Sequence, residues 1–286
     1  PGQSGRKLDG RSPAAFRQVA GRPVRSRLEA GMTRYDLLIK KTSVHDNVKI
    51  ITDTIALALN ETNKMLPYMD RVTKILPELK DEIHGRMTCD SIYTQVEKLL
   101  IRRLEEADGA IKDQMIHFED LAREKLTVPV LRMLELFEIQ HMGSRVFRCY
   151  LGIYNPFPRN VLTGEYWLYY GIPDDIFLRA SLHEINHMIL FEKWKELYGY
   201  KEEKEPEYPD ILWFLEELAI EPVLNDSSIQ ELLPIKHRAY DSLRAIEIEG
   251  KPITTQIQEI YDARSSMGNF LEEAYFFLQS HYKELC

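Results

Sequence analysis

Apolar residues in the first half of the chain recur at spacings of three and four, the period of a helix with one buried face. This pattern predicts helices from about residue 46 to 126, and the run VKIITDTIALALNETNKMLPYM shows it clearly. LTVPVLRMLELFEIQ, residues 126–140, continues the pattern and is predicted to break near Pro129. The sequence therefore predicts a helical N-terminal region over residues 32–140.

Aromatic and β-branched residues become dense after residue 140, which is typical of strands. RVFRCYLGIY, residues 145–154, and EYWLYYGI, residues 165–172, are predicted strands, and the turn residues of NPFPRN separate them. The pattern predicts a small sheet at about 145–172.

Helical spacing returns after this sheet. A helix is predicted over about 174–198, with Asp174 as its N-cap and Gly199 after its last turn. After the charged connector KEEKEPEYPD, another helix is predicted over about 211–224, and the pattern stays helical to the C-terminus. The predicted fold class is α+β and predominantly helical, with residues 141–286 as its second region.

Charge is distributed unevenly along the chain. Residues 1–31 contain seven Lys and Arg against two Asp and Glu, and they lack the apolar run of a secretory signal. Since these residues carry +5 of a total charge of −8, the remainder carries −13. We interpret residues 1–31 as a disordered leader, vector-derived or read through from upstream codons, with Met32 as the natural start. An Arg-rich targeting peptide is the alternative.

Composition and missing motifs exclude several classes of protein. An acidic body is unsuited to nucleic acid, because phosphate binding needs a basic surface. No window approaches about 18 consecutive apolar residues, so no membrane partner is predicted. Three cysteines without a CxxC pair favour a cytoplasmic setting. Serine hydrolase and nucleotide-binding motifs are absent from the sequence.

The helix predicted over 174–198 contains HEINH, a match to the metal-binding pattern HExxH. His183 and His187 lie on one helical face, where both imidazoles can reach one ion. Glu184 lies about 100° around the helix and can accept a proton from water as that water attacks a carbonyl. The spacing thus predicts two Zn²⁺ ligands and a general base. Hydrogen bonds from neighbouring helices are the alternative way to satisfy these polar side chains.

A catalytic zinc needs a third protein ligand. The extended pattern HExxHxxGxxH is absent, because Leu190 and Lys193 stand where its Gly and last His would be. WFLEELA, residues 213–219, offers Glu216 and Glu217 on an otherwise apolar helix. Helical spacing places each of them on an apolar face, so it leaves both candidates open.

HEINH and WFLEELA together resemble the gluzincin zinc metallopeptidases, whose aminopeptidase-type members have a W-L-x-E-G-x-A segment around the third ligand. On this resemblance Trp213 matches the Trp and Ala219 the small residue. Glu216 matches the ligand, while Glu217 replaces the Gly. The resemblance covers residues 165–219 and implies a zincin-like catalytic region with Glu216 as third ligand and Glu217 as the alternative.

The chain departs from the gluzincin pattern in two places. It has no G-x-M-E-N segment, which removes the usual argument for an aminopeptidase. Ile220 stands where an Asp often supports the first histidine, so Asp226, Glu221 or a backbone carbonyl would have to orient that ring. The resemblance also implies that EYWLYYGI lies at the sheet edge that binds extended substrate.

His237 and Tyr240, in IKHRAYDSL, are the candidates for stabilising the oxyanion of the reaction. Their order along the chain suggests this role. Their spacing of three residues would place both on one face of a predicted helix.

The sequence therefore predicts a zinc-dependent metallopeptidase that acts on a peptide or protein, with residues 141–286 as the catalytic region. Two alternatives remain. Glu184-x-x-His187 also matches the ExxH unit of di-iron carboxylate bundles, although the chain has no second such unit. The other alternative is a non-catalytic, metal-bearing binding module, against which the intact Glu184 argues.

Overall fold

The computed structural model describes five ranges of the chain: residues 35–60, 66–80, 89–139, 145–154 and 158–285. The predicted leader and the natural start at Met32 lie outside the described residues.

The first half of the described chain is mostly helical, as its apolar spacing predicted. Its helices are α1 (Val44–Asn60), α2 (Leu66–Ile75), α3 (Cys89–Lys125) and α4 (Thr127–Leu136), with a 3-10 turn at Pro77–Leu79. The predicted break near Pro129 occurs at Leu126, between α3 and α4. Pro129 is tolerated in the first turn of α4 because backbone N–H groups there have no intrahelical partner. Among the described helices, none is both long and apolar enough to cross a membrane.

A four-stranded mixed sheet lies beside these helices. Its strands are β1 (Tyr35–Lys41), β2 (Arg145–Gly152), β3 (Arg159–Asn160) and β4 (Glu165–Tyr169), in the order β1-β2-β4-β3. The first three strands of this order are parallel, and β3 runs antiparallel to β4. The strand β1 was not predicted, and it pairs with β2 from end to end, so the sheet joins the two predicted regions.

The strand β4 lies between β2 and β3, and β3 pairs with it at Glu165 and Tyr166, so the expectation that EYWLYYGI forms the sheet edge is wrong for this first part of the segment. The turn after β3 explains why. The Asn160 side chain accepts hydrogen bonds from the backbone N–H groups of Leu162 and Thr163. Gly164 then adopts a φ of 71°, which favours glycine, and the chain turns back so that β3 lies against β4.

The helix α5 (Asp174–Tyr198) has the predicted bounds and lies at the centre of the fold. It packs against α3, α4, β4 and helices that follow it in the chain, which explains why its apolar residues cover nearly all sides. Pro173 rather than Asp174 is its N-cap residue. Asp174 lies in the first turn, where its charge suits the helix dipole, and it bonds His117 at 2.7 Å.

The C-terminal part is less uniformly helical than predicted. Its helices are α6 (Ile211–Leu218), α7 (Ile220–Leu224), α8 (Ser227–Gln230), α9 (Asp241–Arg244), α10 (Ile253–Ala263), α11 (Met267–Ser280) and α12 (Tyr282–Leu285). Residues 231–240 are irregular, and Pro234 within them cannot donate a helical hydrogen bond. A hairpin of β5 (Glu247–Ile248) and β6 (Lys251–Pro252) is also present, so the prediction of helices throughout was wrong in these two places.

Candidate metal centre

The two histidines of HEINH face each other across one turn of α5. Nε2 of His183 lies 3.0 Å from Nε2 of His187. The side chain of His187 is fully buried, and that of His183 is 22% exposed. The two ring nitrogens therefore point to a common position on the helix, as the spacing of four residues predicted.

Glu217 on α6 brings a carboxylate to these histidines. Its Oε2 lies 3.9 Å from His183 Nε2, and its Oε1 lies 3.7 Å from His187 Nε2. Two atoms that each lie about 2.0–2.1 Å from a zinc ion can be at most about 4.2 Å apart. In the described part of the chain, these three residues are the one group of His, Cys, Asp or Glu whose ligand atoms lie within 4.8 Å of one another. The group can therefore hold one metal ion.

The geometry favours Glu217, the alternative third ligand, over Glu216. The carboxylate of Glu216 is directed to Arg159, whose Nη2 donates to its Oε2 at 2.9 Å. Adjacent positions on a helix point about 100° apart, so α6 presents only one of the two glutamates to the histidines. The match to W-L-x-E-G-x-A is therefore offset by one residue from the group that the structure brings together.

Arg159 bridges the two glutamates from strand β3. Its Nη1 donates to Glu217 Oε1 at 3.1 Å, in addition to the bond with Glu216. The Arg159 side chain is 14% exposed, and both glutamates are buried. Sequence analysis did not identify Arg159, because its partners are 57 and 58 residues away and it follows a run of turn residues.

Glu184, the predicted general base, is buried beside the histidines. Its Oε2 has no hydrogen-bond partner in the structure. Burial raises the pKa of Glu184 to about 8, and the positive charge of Arg159 opposes this shift. At this pKa the group is mostly protonated at neutral pH, but its ionised form is a stronger base than an ordinary carboxylate. A cation bound nearby would favour the ionised form.

Burial also keeps the two histidines neutral. It lowers the pKa of His183 to about 3 and holds the pKa of His187 well below its usual value, and the charge of Arg159 lowers both further. A neutral imidazole is the form that binds metal ions. Burial disfavours the charged form of a carboxyl group as well, and it raises the pKa of Glu216 to about 8.

Carboxyl groups outnumber positive charges in this part of the molecule. Arg159 interacts electrostatically with Glu184, Glu216, Glu217 and the half-buried Glu205. Buried carboxylates are costly unless a positive charge compensates them. A divalent cation suits this set of donors, which consists of two neutral imidazoles and an excess of buried carboxyl groups. Oε2 of Glu184, which has no hydrogen-bond partner, belongs to the same set.

His237 lies near His183, whereas Tyr240 lies at the surface. His237 is buried, its Nε2 has no partner, and it is within electrostatic range of His183. Tyr240 is 51% exposed and its ring is nearly parallel to that of Trp213. Both lie within the irregular segment 231–240, so the prediction that they share a helical face is wrong.

Neither acidic residue expected to orient the first histidine does so. Glu221 accepts hydrogen bonds from the backbone of Ala239 and from Arg244. Asp226 caps α8 and accepts a hydrogen bond from the hydroxyl of Tyr261 at 2.8 Å. Both carboxylates thus have partners away from the histidines.

No protein-family model, curated protein or solved structure matches this chain. The resemblance to gluzincins therefore depends on HEINH and WFLEELA alone.

Proposed function

We propose that this protein is a zinc-dependent metallopeptidase in which His183, His187 and Glu217 bind the metal. The observation that carries the proposal is the convergence of these three side chains within reach of one ion, beside the unpaired carboxyl group of Glu184. Two histidines and one glutamate, with a fourth position open for water, are a common ligand set of catalytic zinc.

In this proposal Glu184 carries the proton. A bound zinc ion supplies Lewis acidity, which lowers the pKa of water to about 7 and polarises a substrate carbonyl. Glu184 accepts a proton from the attacking water and afterwards donates it to the leaving amine. Its burial and its unpaired Oε2 suit this role, because no other hydrogen bond has to break first.

We propose His237, rather than Tyr240, as the group that stabilises the oxyanion. Burial and the charge of Arg179 lower the pKa of His237 to about 4, so the ring is neutral and one of its nitrogens carries a hydrogen. A preorganised donor in a buried site stabilises developing negative charge strongly. Tyr240 instead lies beside Trp213 at the surface.

The sheet edge supports a peptide as the substrate. Within the described sheet, β3 is one of the two terminal strands, β1 being the other, and its residue Arg159 bonds the proposed ligand Glu217. An extended peptide can add to an exposed sheet edge through main-chain hydrogen bonds. A substrate bound there would run past the proposed metal position.

The di-iron alternative fits the arrangement less well. Bundles of that class take each histidine from a different helix, within two ExxH units. Here both histidines come from α5, one turn apart. The arrangement therefore favours one metal ion over two.

Digestion of a peptide library by the purified protein, read by mass spectrometry, tests the proposed function. We expect cleavage that stops when a chelator removes the metal and returns when zinc is added. Cleavage that continues at full rate in excess chelator would contradict a zinc mechanism. Peptides that bind the zinc-loaded protein and are released uncut would instead support a binding module.

The adjacent glutamates provide a matched pair of variants for the third ligand. We expect Glu217→Ala to lose stoichiometric zinc, because only two protein ligands remain. Glu216→Ala should still take up one zinc per chain when zinc is in excess, since its carboxylate is bonded to Arg159 and not grouped with the histidines. Elemental analysis after removal of free metal measures both. The reverse result would return the ligand role to Glu216.

A further inference from the structure

We propose that Arg159 is a positioning residue for the third metal ligand and that Glu216 controls how Arg159 engages that ligand. The inference rests on the metal site proposed above. It assigns to the Arg159–Glu216 pair the role of holding Glu217 by one oxygen while its other oxygen stays open to the metal.

The hydrogen bonds of Arg159 are divided between two carboxylates. A guanidinium group commonly forms two parallel bonds to both oxygens of one carboxylate. Arg159 instead donates from Nη1 to Glu217 Oε1 at 3.1 Å and from Nη2 to Glu216 Oε2 at 2.9 Å. It therefore leaves Oε2 of Glu217, the oxygen 3.9 Å from His183 Nε2, without a bond to the guanidinium.

Helical geometry explains why the division is stable. The two glutamates are neighbours on α6 and point about 100° apart, so one guanidinium bonds both only when it lies between them. Arg159 is fixed at that position by β3, where it pairs in register with Tyr166 of β4. The position of the guanidinium is thus set by the sheet on one side and by Glu216 on the other.

Burial makes these contacts strong. Glu216 and Glu217 are 0% and 1% exposed, and the Arg159 side chain is 14% exposed. Hydrogen bonds are electrostatically stronger in such surroundings than in water. The carboxylate of Glu216 accepts a hydrogen bond from Arg159 through Oε2, and its Oε1 has no hydrogen-bond partner. Glu216 therefore acts on the metal site through Arg159.

Changes to either member of the pair should weaken zinc binding for different reasons. Without Arg159, the Glu217 carboxylate loses the bond that fixes its orientation. Without Glu216, Nη2 is released, and Arg159 can take both oxygens of Glu217 and compete with the metal. Partners that orient a metal ligand typically contribute about 10–100-fold to metal affinity.

Competition with a chromophoric chelator measures the zinc affinity of the parent and of four variants. We expect Arg159→Gln to bind zinc about 10–100-fold more weakly than the parent. Arg159→Lys should lie between the two, because lysine restores the charge without the planar fork. Glu216→Ala, which removes the acceptor of the Nη2 bond, should also bind zinc more weakly. The double variant should match Arg159→Gln, because Glu216 has no route to the metal once Arg159 is gone.

A control variant separates this effect from general loss of stability. Arg264→Gln breaks a partly buried ion pair in which Nη2 of Arg264 lies 3.3 Å from Oδ2 of Asp226. Both residues lie outside the proposed ligand group. Thermal unfolding followed by circular dichroism compares the stability of all variants. We expect Arg264→Gln to keep the zinc affinity of the parent, even if its unfolding temperature falls as much as that of Arg159→Gln.

Two results would overturn the inference while leaving the metal site in place. One is an unchanged zinc affinity in Arg159→Gln. The other is a further loss of tenfold or more in the double variant, which would make Glu216 a direct ligand. If Arg159→Gln does not fold, the weaker affinity expected of Glu216→Ala provides the test, and an unchanged affinity in that variant overturns the inference. A parent protein that binds no zinc would refute the proposed site itself.

Discussion

Glu184→Gln is expected to lower the rate of peptide hydrolysis by about 10²–10⁴-fold while one zinc per chain stays bound. Glutamine keeps the size of the side chain and its capacity for hydrogen bonds but cannot accept a proton from water. Glu184 is outside the group of three side chains that can share an ion, so the metal should remain. The measurements are the turnover of a peptide found in the library digestion and the zinc content of the same sample.

Glu196→Gln is the matched control for this variant. Glu196 lies on the same helix, its side chain is 56% exposed, and it pairs with Lys193 rather than with the site. Its replacement should leave hydrolysis unchanged. A Glu184→Gln protein that holds zinc and cleaves as fast as the parent would exclude Glu184 as the base.

His187→Ala is expected to abolish stoichiometric zinc binding. The variant retains only His183 and Glu217 of the proposed ligands, and two ligands hold zinc poorly. His187 is also fully buried, so the smaller side chain leaves a cavity that costs some stability. Dialysis against a weak chelator followed by elemental analysis measures the remaining zinc.

His237→Ala supplies the comparison for the loss of a buried histidine. His237 is buried to a similar degree but is absent from the group of potential ligands. The His237→Ala variant should keep one zinc per chain. Its rate of peptide hydrolysis should fall, because His237 is the group proposed to stabilise the oxyanion. Tightly bound zinc in His187→Ala would show that the metal site lies elsewhere in the chain.

The part of the site on α5 could be predicted because its information is local. Spacing of four residues places His183 and His187 on one face whatever the rest of the chain does. The apolar residues around HEINH likewise predicted a buried helix, and its bounds agree with the structure. Features that follow from the period of one helix were therefore accessible from the sequence.

The choice between Glu216 and Glu217 depends on how α6 is rotated against α5, which the sequence of α6 does not determine. Apolar residues flank both glutamates, so periodicity could not distinguish them. The resemblance to W-L-x-E-G-x-A favoured Glu216, whereas packing turns Glu217 to the histidines. A rotation of one residue, about 100°, decides which carboxylate faces the two histidines.

Long-range contacts account for the other features that were missed. Strand β1 is a short segment whose pairing with β2 joins residues 110 positions apart, such as Tyr35 and Arg145. Arg159 follows the turn residues of NPFPRN, and its charge becomes significant only when β3 lies beside α6. Such contacts follow from the tertiary fold, not from local periodicity.

The metal content of the purified, unmodified protein tests the central claim most directly. Elemental analysis, set against protein concentration from amino-acid analysis, should find one zinc ion per chain after free metal has been removed. That result would agree with one ion held by His183, His187 and Glu217. Two iron ions per chain, or no bound metal after incubation with excess zinc, would contradict it.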